Sequence, residues 1–484
     1  MLKPSMIKNF PKKSAIIPSE LMQFVKYNTY SLLIKGYAGT GKTTLSLTIL
    51  RALNIRNNFF YISTRISPKQ IFIHYPWLSK FINGSKVYNS VEEEYNLSSF
   101  EDARLDEPES LFERITNQLM DVKAPIIIID SWDGIASFMD KEAKINNERV
   151  LQTWRERAGA KLIFISEDPN DTTLDFLVDG IVELKQMLYG NIRIREILLS
   201  KLRGVRINRP TYTYTLNNAM FRSCSPFQST DFIINTKSKM SKKRQQKLGP
   251  ISKGTYISSG YIKLDNELGG GFPRKSIVLL ETDSDINKQI IIAFLAMIMY
   301  NFIGTYNPIL FGPFRIFEPV MVINYLKSYL QKDPRKELVK ILWPTNKVKD
   351  SSSKHIIPYR EYNSKGKVEF FQHQVSKLKE ENPCKLLLNI TGINKSKKME
   401  CFEKADEIEE IISFMRDNVD LSVFVVQRSQ SINANFYDEY DIHMRLRIIN
   451  GSLFLQLLST NSPLYEIIND TSAGYPKVKL EPIV

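Results

Sequence analysis

Cysteine and histidine are scarce in this chain: Cys224, Cys384 and Cys401, with His74, His355, His373 and His443, are all that 484 residues contain. No two of them stand at the short spacing of a zinc site, and three distant thiols make no disulfide framework. Long uninterrupted apolar runs are lacking too. The best candidate, Gln289 to Phe314, carries no charge, but Asn301, Gly304, Asn307 and Pro308 cut it before the ~20 residues a membrane span needs. It reads as a buried helix followed by a buried strand. Met1 to Lys13 is basic, broken by Pro4 and Pro11, and has no apolar centre, so it does not read as a secretory signal. Together these absences lead us to expect a cytoplasmic protein with no membrane segment.

What the chain has is length and positive charge. A chain of 484 residues exceeds one ordinary core and suggests two or three domains, and 43% hydrophobic residues exclude wholesale disorder. The net charge of +14 suits an anionic partner, nucleotide or nucleic acid, and suits a solubilising surface equally well.

The most specific local pattern is Gly36-Tyr37-Ala38-Gly39-Thr40-Gly41-Lys42-Thr43. Glycines at 36, 39 and 41 let consecutive backbone N–H groups turn inward around a polyphosphate, and the positive end of a following helix adds to the attraction. Lys42 is placed to reach the terminal phosphates, Thr43 to offer a hydroxyl to magnesium, and Thr40 and Thr44 to line the same loop. The flanks agree: Ser31 to Lys35 reads as a strand and Thr44 to Leu50 as an apolar helix. ATP and Mg²⁺ are the ligands this pattern calls for.

Further strands are predicted at Phe59 to Ser63, Pro125 to Asp130 and Lys161 to Ser166. Fully apolar strands alternating with helices mean a parallel sheet covered on both faces. Asp130 ends the second of these runs, at the phosphate crevice, where a carboxylate can hold magnesium through water. Ile192 to Arg195 and Tyr212 to Leu216 look like antiparallel strands appended to that sheet. The expected domains are 1–224, a linker at 225–254 and 255–484. Lys237 to Lys253 holds seven basic residues and no acid, a flexible tether or a salt-sensitive nucleic-acid contact.

The second half repeats this order in altered form. After Leu268-Gly269-Gly270-Gly271-Phe272-Pro273 and the strand Ser276 to Leu280 comes Thr282-Asp283-Ser284-Asp285-Ile286-Asn287-Lys288-Gln289, which keeps the lysine and loses all three glycines. Asp283 and Asp285 would repel a polyphosphate, so this half is expected to bind nucleotide weakly or not at all. Lys385 to Asn389 parallels Pro125 to Asp130, with Asn389 expected in place of the magnesium carboxylate. Leu421 to Gln427 parallels Lys161 to Ser166, and Met444 to Ile449 with Ser452 to Leu458 parallel the appended strands.

These residues resemble the RecA-superfamily ATPases, and within them the KaiC-like branch. The carriers are Gly36 to Thr43, Ile128-Ile129-Asp130-Ser131, Leu177-Val178-Asp179-Gly180, Lys201-Leu202-Arg203-Gly204 and the lead-in Ile257 to Asp265 with Phe272-Pro273-Arg274. Tyr30 to Gly36 and Tyr61 to Pro68 are similar to the P-loop domain family of GvpD, an archaeal gas-vesicle regulator. The resemblance implies tandem α/β RecA-like domains with mainly parallel sheets, the second degenerate. It also implies a homo-oligomer with nucleotide at subunit boundaries, where Lys201 and Arg203 would touch a neighbour's γ-phosphate. The family places adjacent glutamates after the second strand to polarise water; Arg65 and Ile66 stand there instead, which leaves Glu167 and Asp133 as substitutes. A regulatory ATP switch acting on assembly or on a protein partner is the favoured reading. A DNA recombination or repair ATPase and a non-hydrolysing scaffold remain open.

Overall fold

Alternate residues of one apolar run face opposite sides of a strand, and the run Ile126 to Ile129 shows what that does here. Ile126 and Ile128 join one core, with Leu45, Leu47 and Ile49 of the helix Lys42–Ala52, whereas Ile127 and Ile129 join another, with Trp132 and Leu151. A strand buried on both faces has no polar side, which is why its sequence does not alternate.

The computed structural model describes residues 16–82, 100–104, 124–137, 159–189, 192–227, 252–312, 317–330, 337–344, 354–359, 364–393, 405–428, 439–459, 462–470 and 477–484, with single positions between 110 and 158. Most of the basic segment expected as a linker, 228–251, lies outside them. Contacts divide the chain into two units, Met1–Ser225 with Ile483–Val484, and Pro226–Pro482.

In the first unit the strands are β1 (Tyr30–Lys35), β2 (Phe59–Ser63), β3 (Phe100–Asp102), β4 (Ile126–Asp130), β5 (Lys161–Ser166), β6 (Gly180–Tyr189), β7 (Ile192–Leu202), β8 (Thr211–Thr215) and β9 (Arg222–Ser223). Their order across the sheet is β3-β2-β4-β5-β1-β6-β7-β8-β9. Pairing is parallel from β3 to β6 and antiparallel from β6 to β9. The change to antiparallel pairing begins where Ile192 to Arg195 first shows alternation.

The second unit opens with a small sheet of β10 (Ser252–Lys253), β11 (Tyr256–Ile257) and β12 (Phe272–Pro273). Its main strands are β13 (Ser276–Asp283), β14 (Ile309–Phe311), β15 (Val339–Pro344), β16 (Ile356–Tyr359), β17 (Leu388–Ile393), β18 (Leu421–Arg428), β19 (Ile442–Ile449), β20 (Ser452–Leu457), β21 (Leu464–Asp470) and β22 (Lys477–Ile483). They are ordered β16-β15-β14-β17-β18-β13-β19-β20-β21-β22, the order of the first sheet with β16 added at one edge. Val278 and Leu280 face one core and Ile277 and Leu279 another, so this sheet is covered on both faces as well. The uncharged stretch after Gln289 is the buried helix Lys288–Gly304 followed by β14, and among the described residues no helix is long and apolar enough to cross a membrane.

The two sheets share a register mark. Asp179 donates its N–H to the Ser31 carbonyl at 3.0 Å and accepts the Ser31 N–H on its carboxylate at 3.1 Å. Asp441 does the same with Ile277, at 2.9 and 2.7 Å. Ser31 therefore corresponds to Ile277, Lys35 to Glu281, and Gly36 to Thr282. This register corrects one expectation. Asp130 pairs with Ile165 of β5, and the residue paired with the corresponding Val425 of β18 is Gly392, not Asn389. Asn389 lies deeper in β17, fully buried, with its amide donating to the Thr391 hydroxyl at 2.8 Å.

Candidate functional site

The loop Gly36 to Thr43 leaves the carboxyl end of β1 and enters the helix Lys42–Ala52 with Gly41 as its N-cap. Gly41 has φ 94°, a left-handed value that disfavours side chains, and a Cβ there would stand 2.8 Å from the Leu216 side chain. Gly36 is as constrained: a Cβ would meet the Leu184 carbonyl oxygen at 2.5 Å. The sequence spacing of glycines thus reports real backbone requirements.

Lys42 folds back over the loop and donates to the carbonyls of Gly36 at 2.6 Å and Tyr37 at 3.0 Å. Burial lowers the pKa of its ammonium, while the carboxylates of Glu167, Asp130 and Asp133 pull it back up. Thr43 donates its hydroxyl to Asp130 at 2.6 Å, and buried Tyr61 donates to the same carboxylate oxygen. Burial raises the Asp130 carboxyl above its ordinary value, against the opposing pull of these two hydrogen bonds and of Lys42. Thr40 is buried and bonds the Tyr37 carbonyl at 2.8 Å, and the Thr44 hydroxyl lies 3.2 Å from that of Tyr75. The structure thus brings Gly36, Gly39, Thr40, Gly41, Lys42, Thr43, Thr44 and Asp130 together.

Thr43 and Asp130 are hard oxygen donors of the type magnesium takes. Among the described residues no cluster of three or more His, Cys, Asp or Glu could hold a metal alone. The ion's remaining positions would fall to phosphate oxygens and water, so metal and nucleotide fit this site together.

Three supports escaped the sequence reading. Tyr61 pairs with Ile128 on the adjacent strand, which sets its hydroxyl against Asp130. Arg195 of β7 donates to the Gly39 carbonyl at 2.9 Å, to Gln186 at 2.7 Å and to the Val484 carbonyl at 3.2 Å. Tyr214 of β8 donates to the Thr40 carbonyl. The alternation of Ile192 to Arg195 placed Arg195 on one face, but nothing local said that this face meets the loop.

Lys201 and Arg203 lie elsewhere. Lys201 pairs with Ile181 near the start of β6, beside Leu33 of β1 and two residues before the end of the strand from which the loop leaves. It donates to the carbonyls of Asp175 at 3.0 Å and Val178 at 2.7 Å, while Arg203 bonds the Asp179 carboxylate at 2.7 Å. Arg203 falls just beyond β7, so the two cations hold separate partners rather than one anion.

At the expected position of the glutamate pair, exposed Arg65 makes an ion pair with Glu167 at 2.6 Å. Among the described residues of the second unit the corresponding positions differ. Lys288 begins its helix six residues after Thr282, as Lys42 follows Gly36, but its side chain is exposed. Glu281, where the first unit has Lys35, is fully buried and bonded to Arg445 at 2.6 Å and His443 at 3.1 Å.

Comparison with known families matches residues 21–199 to the P-loop domain of the GvpD gas vesicle protein. Protein GvpD2 of Halobacterium salinarum is 25% identical over 66% of this chain, and Protein GvpD1 of the same organism 26% over 65%. The circadian clock oscillator protein KaiC of Thermostichus vulcanus is 24% identical over 54% of it. The chain spans 65%, 59% and 49% of the lengths of these three relatives. The matched segment contains the loop, β1 to β6 and Asp130, so the similarity to the GvpD P-loop domain falls on the first unit, and the likeness to KaiC fits a RecA-superfamily fold of the GvpD and KaiC kind.

Proposed function

We propose that the first unit binds Mg-ATP, hydrolyses it slowly, and uses the bound state as a switch for self-assembly or for a protein partner, the second unit serving as scaffold. The observation that carries this reading is the pairing of an intact cradle with an altered water site. Lys42, Thr43 and Asp130 are assembled for binding, whereas Arg65, tied to Glu167, occupies the place of the family's water-polarising carboxylates. Phosphoryl transfer needs a positioned water as well as cationic stabilisation, so such a site favours long occupancy over fast turnover.

Binding would draw Lys42 off the Gly36 and Tyr37 carbonyls toward the terminal phosphates. Magnesium, when bound, neutralises charge on the β- and γ-phosphate oxygens. Thr43 and Asp130, already in contact, would orient its coordination sphere, and Arg195 and Tyr214 fix the loop carbonyls from behind. The names of the relatives, a gas vesicle protein and a clock oscillator protein, fit a regulatory output.

The test is nucleotide-dependent mass in solution with phosphate release followed in parallel. A change of assembly or partner affinity with ATP but not ADP supports the switch. Strong stimulation of hydrolysis by DNA favours the recombination reading, and binding with no hydrolysis favours the scaffold.

A further inference from the structure

We propose that Glu167 is the carboxylate that takes a proton from the attacking water, and that Arg65 holds it in reserve until a γ-phosphate arrives. This rests on the ATPase reading above and supplies the base which that reading lacks.

Glu167 is in the right place. It follows the last residue of β5, and that residue, Ser166, pairs with Lys35 immediately before the phosphate loop. Arg65 stands two residues after Ser63, which pairs with Asp130. Both side chains therefore rise from the carboxyl ends of strands around the loop, where ligands of such sheets lie.

The neighbouring acids are engaged otherwise. One Asp133 oxygen accepts the Ser166 hydroxyl at 3.1 Å and the other accepts the Glu167 N–H at 2.5 Å. Asp130 is occupied with Thr43 and Tyr61 at the metal position. The Glu167 carboxylate is held instead by a guanidinium whose side chain is 54% exposed, a contact easily exchanged. Arg65 also reaches the Ser131 hydroxyl at 3.4 Å, so it spans the gap between β4 and β5. Glu167 also leads the carboxylates that pull the Lys42 ammonium back up against its burial.

The exchange follows from charge. A γ-phosphate drawn in by Lys42 offers Arg65 a second oxyanion, and a guanidinium binds phosphate oxygens as well as it binds carboxylate. Released Glu167 accepts one proton of a water as the water oxygen bonds to the γ-phosphorus. The bond from phosphorus to the β–γ bridging oxygen breaks and its electron pair leaves with ADP. Glu167 then passes the proton to the departing phosphate or to solvent.

The test compares Glu167→Gln, Glu167→Asp and Arg65→Ala in the full chain, with ATP and ADP affinities measured separately from phosphate release. Loss of a general base lowers kcat by ~100-fold or more, so Glu167→Gln is expected to fall that far with ATP affinity within a few-fold of wild type. Glu167→Asp should recover part of the rate. Arg65→Ala should lower kcat and raise KM for ATP while ADP affinity holds, because ADP has no γ-phosphate. Wild-type turnover in a Glu167→Gln chain that binds ATP overturns the proposal and leaves the binding reading standing. So does a wild-type chain that binds ATP and never releases phosphate. Failure of the wild type to bind nucleotide at all removes the reading and the proposal together.

Discussion

The Thr43 hydroxyl donates to the Asp130 carboxylate across 2.6 Å, joining the start of the loop helix to the end of β4. The residues proposed to orient magnesium are thus already in contact. What binding must rearrange is Lys42, which is bonded to its own loop.

Lys42→Ala should therefore weaken ATP binding by ~10- to 100-fold, the value of charge-assisted hydrogen bonds of about 1.5–3 kcal/mol. Exposed Lys288 should be replaceable by alanine with little change. Calorimetric titration of both variants decides it, and damage confined to Lys288→Ala would reverse the assignment of the two units.

Asp130 sets function against stability. Burial raises its carboxyl in the folded chain, so the fold favours the protonated form. That contribution is present below the unfolded value and is lost as pH rises through the folded one. At neutral pH the ionised group is a cost. Asp130→Asn should raise the melting temperature of the nucleotide-free chain by a few degrees near neutrality, with the gain shrinking toward acid, while Mg-dependent hydrolysis disappears. Thermal melts across pH would contradict this if wild type were the more stable at neutrality.

Lys201 and Arg203 are bonded to Asp175, Val178 and Asp179. If they serve a neighbour, the double alanine variant should keep ATP binding through Lys42 and lose hydrolysis. Mixed with Lys42→Ala, it should regain part of the activity, since each variant supplies what the other lacks. A monomeric wild type with normal turnover would end this account.

In the second unit, burial alone would raise the Glu281 carboxyl, but hydrogen bonds from His443 and Arg445 outweigh it and hold it below the ordinary glutamate value. The stability it brings is present above the unfolded value and is lost as pH falls through the folded one. Arg445→Met should cost about 3–5 kcal/mol by stranding a buried charge. Combining it with Glu281→Gln should recover much of that in denaturant titrations.

Gly36 to Thr43 and Asp130 were legible because glycine spacing dictates backbone and an apolar run ending in aspartate dictates place. Gly392 was not. The apolar stretch Leu386 to Leu388 does not say how far its strand continues, and only the pairing of β17 with β18 shows that it runs to Ile393. The Arg65–Glu167 pair, Tyr61 and Arg195 were hidden for the same reason: each contact joins segments distant in the chain, and strand register alone decides which side chains meet.

Glu281 sits at the strand position that holds Lys35 in the first unit, and this limits what a transplant could achieve. Writing Gly36 to Thr43 over Thr282 to Gln289 would restore the loop's glycines, lysine and threonine, yet the new loop would spring from a fully buried carboxylate locked to Arg445. It would also face Gly392 at the position that holds Asp130 in the first unit. A designer seeking a second nucleotide site in this chain would have to rebuild the ends of three strands, not one loop.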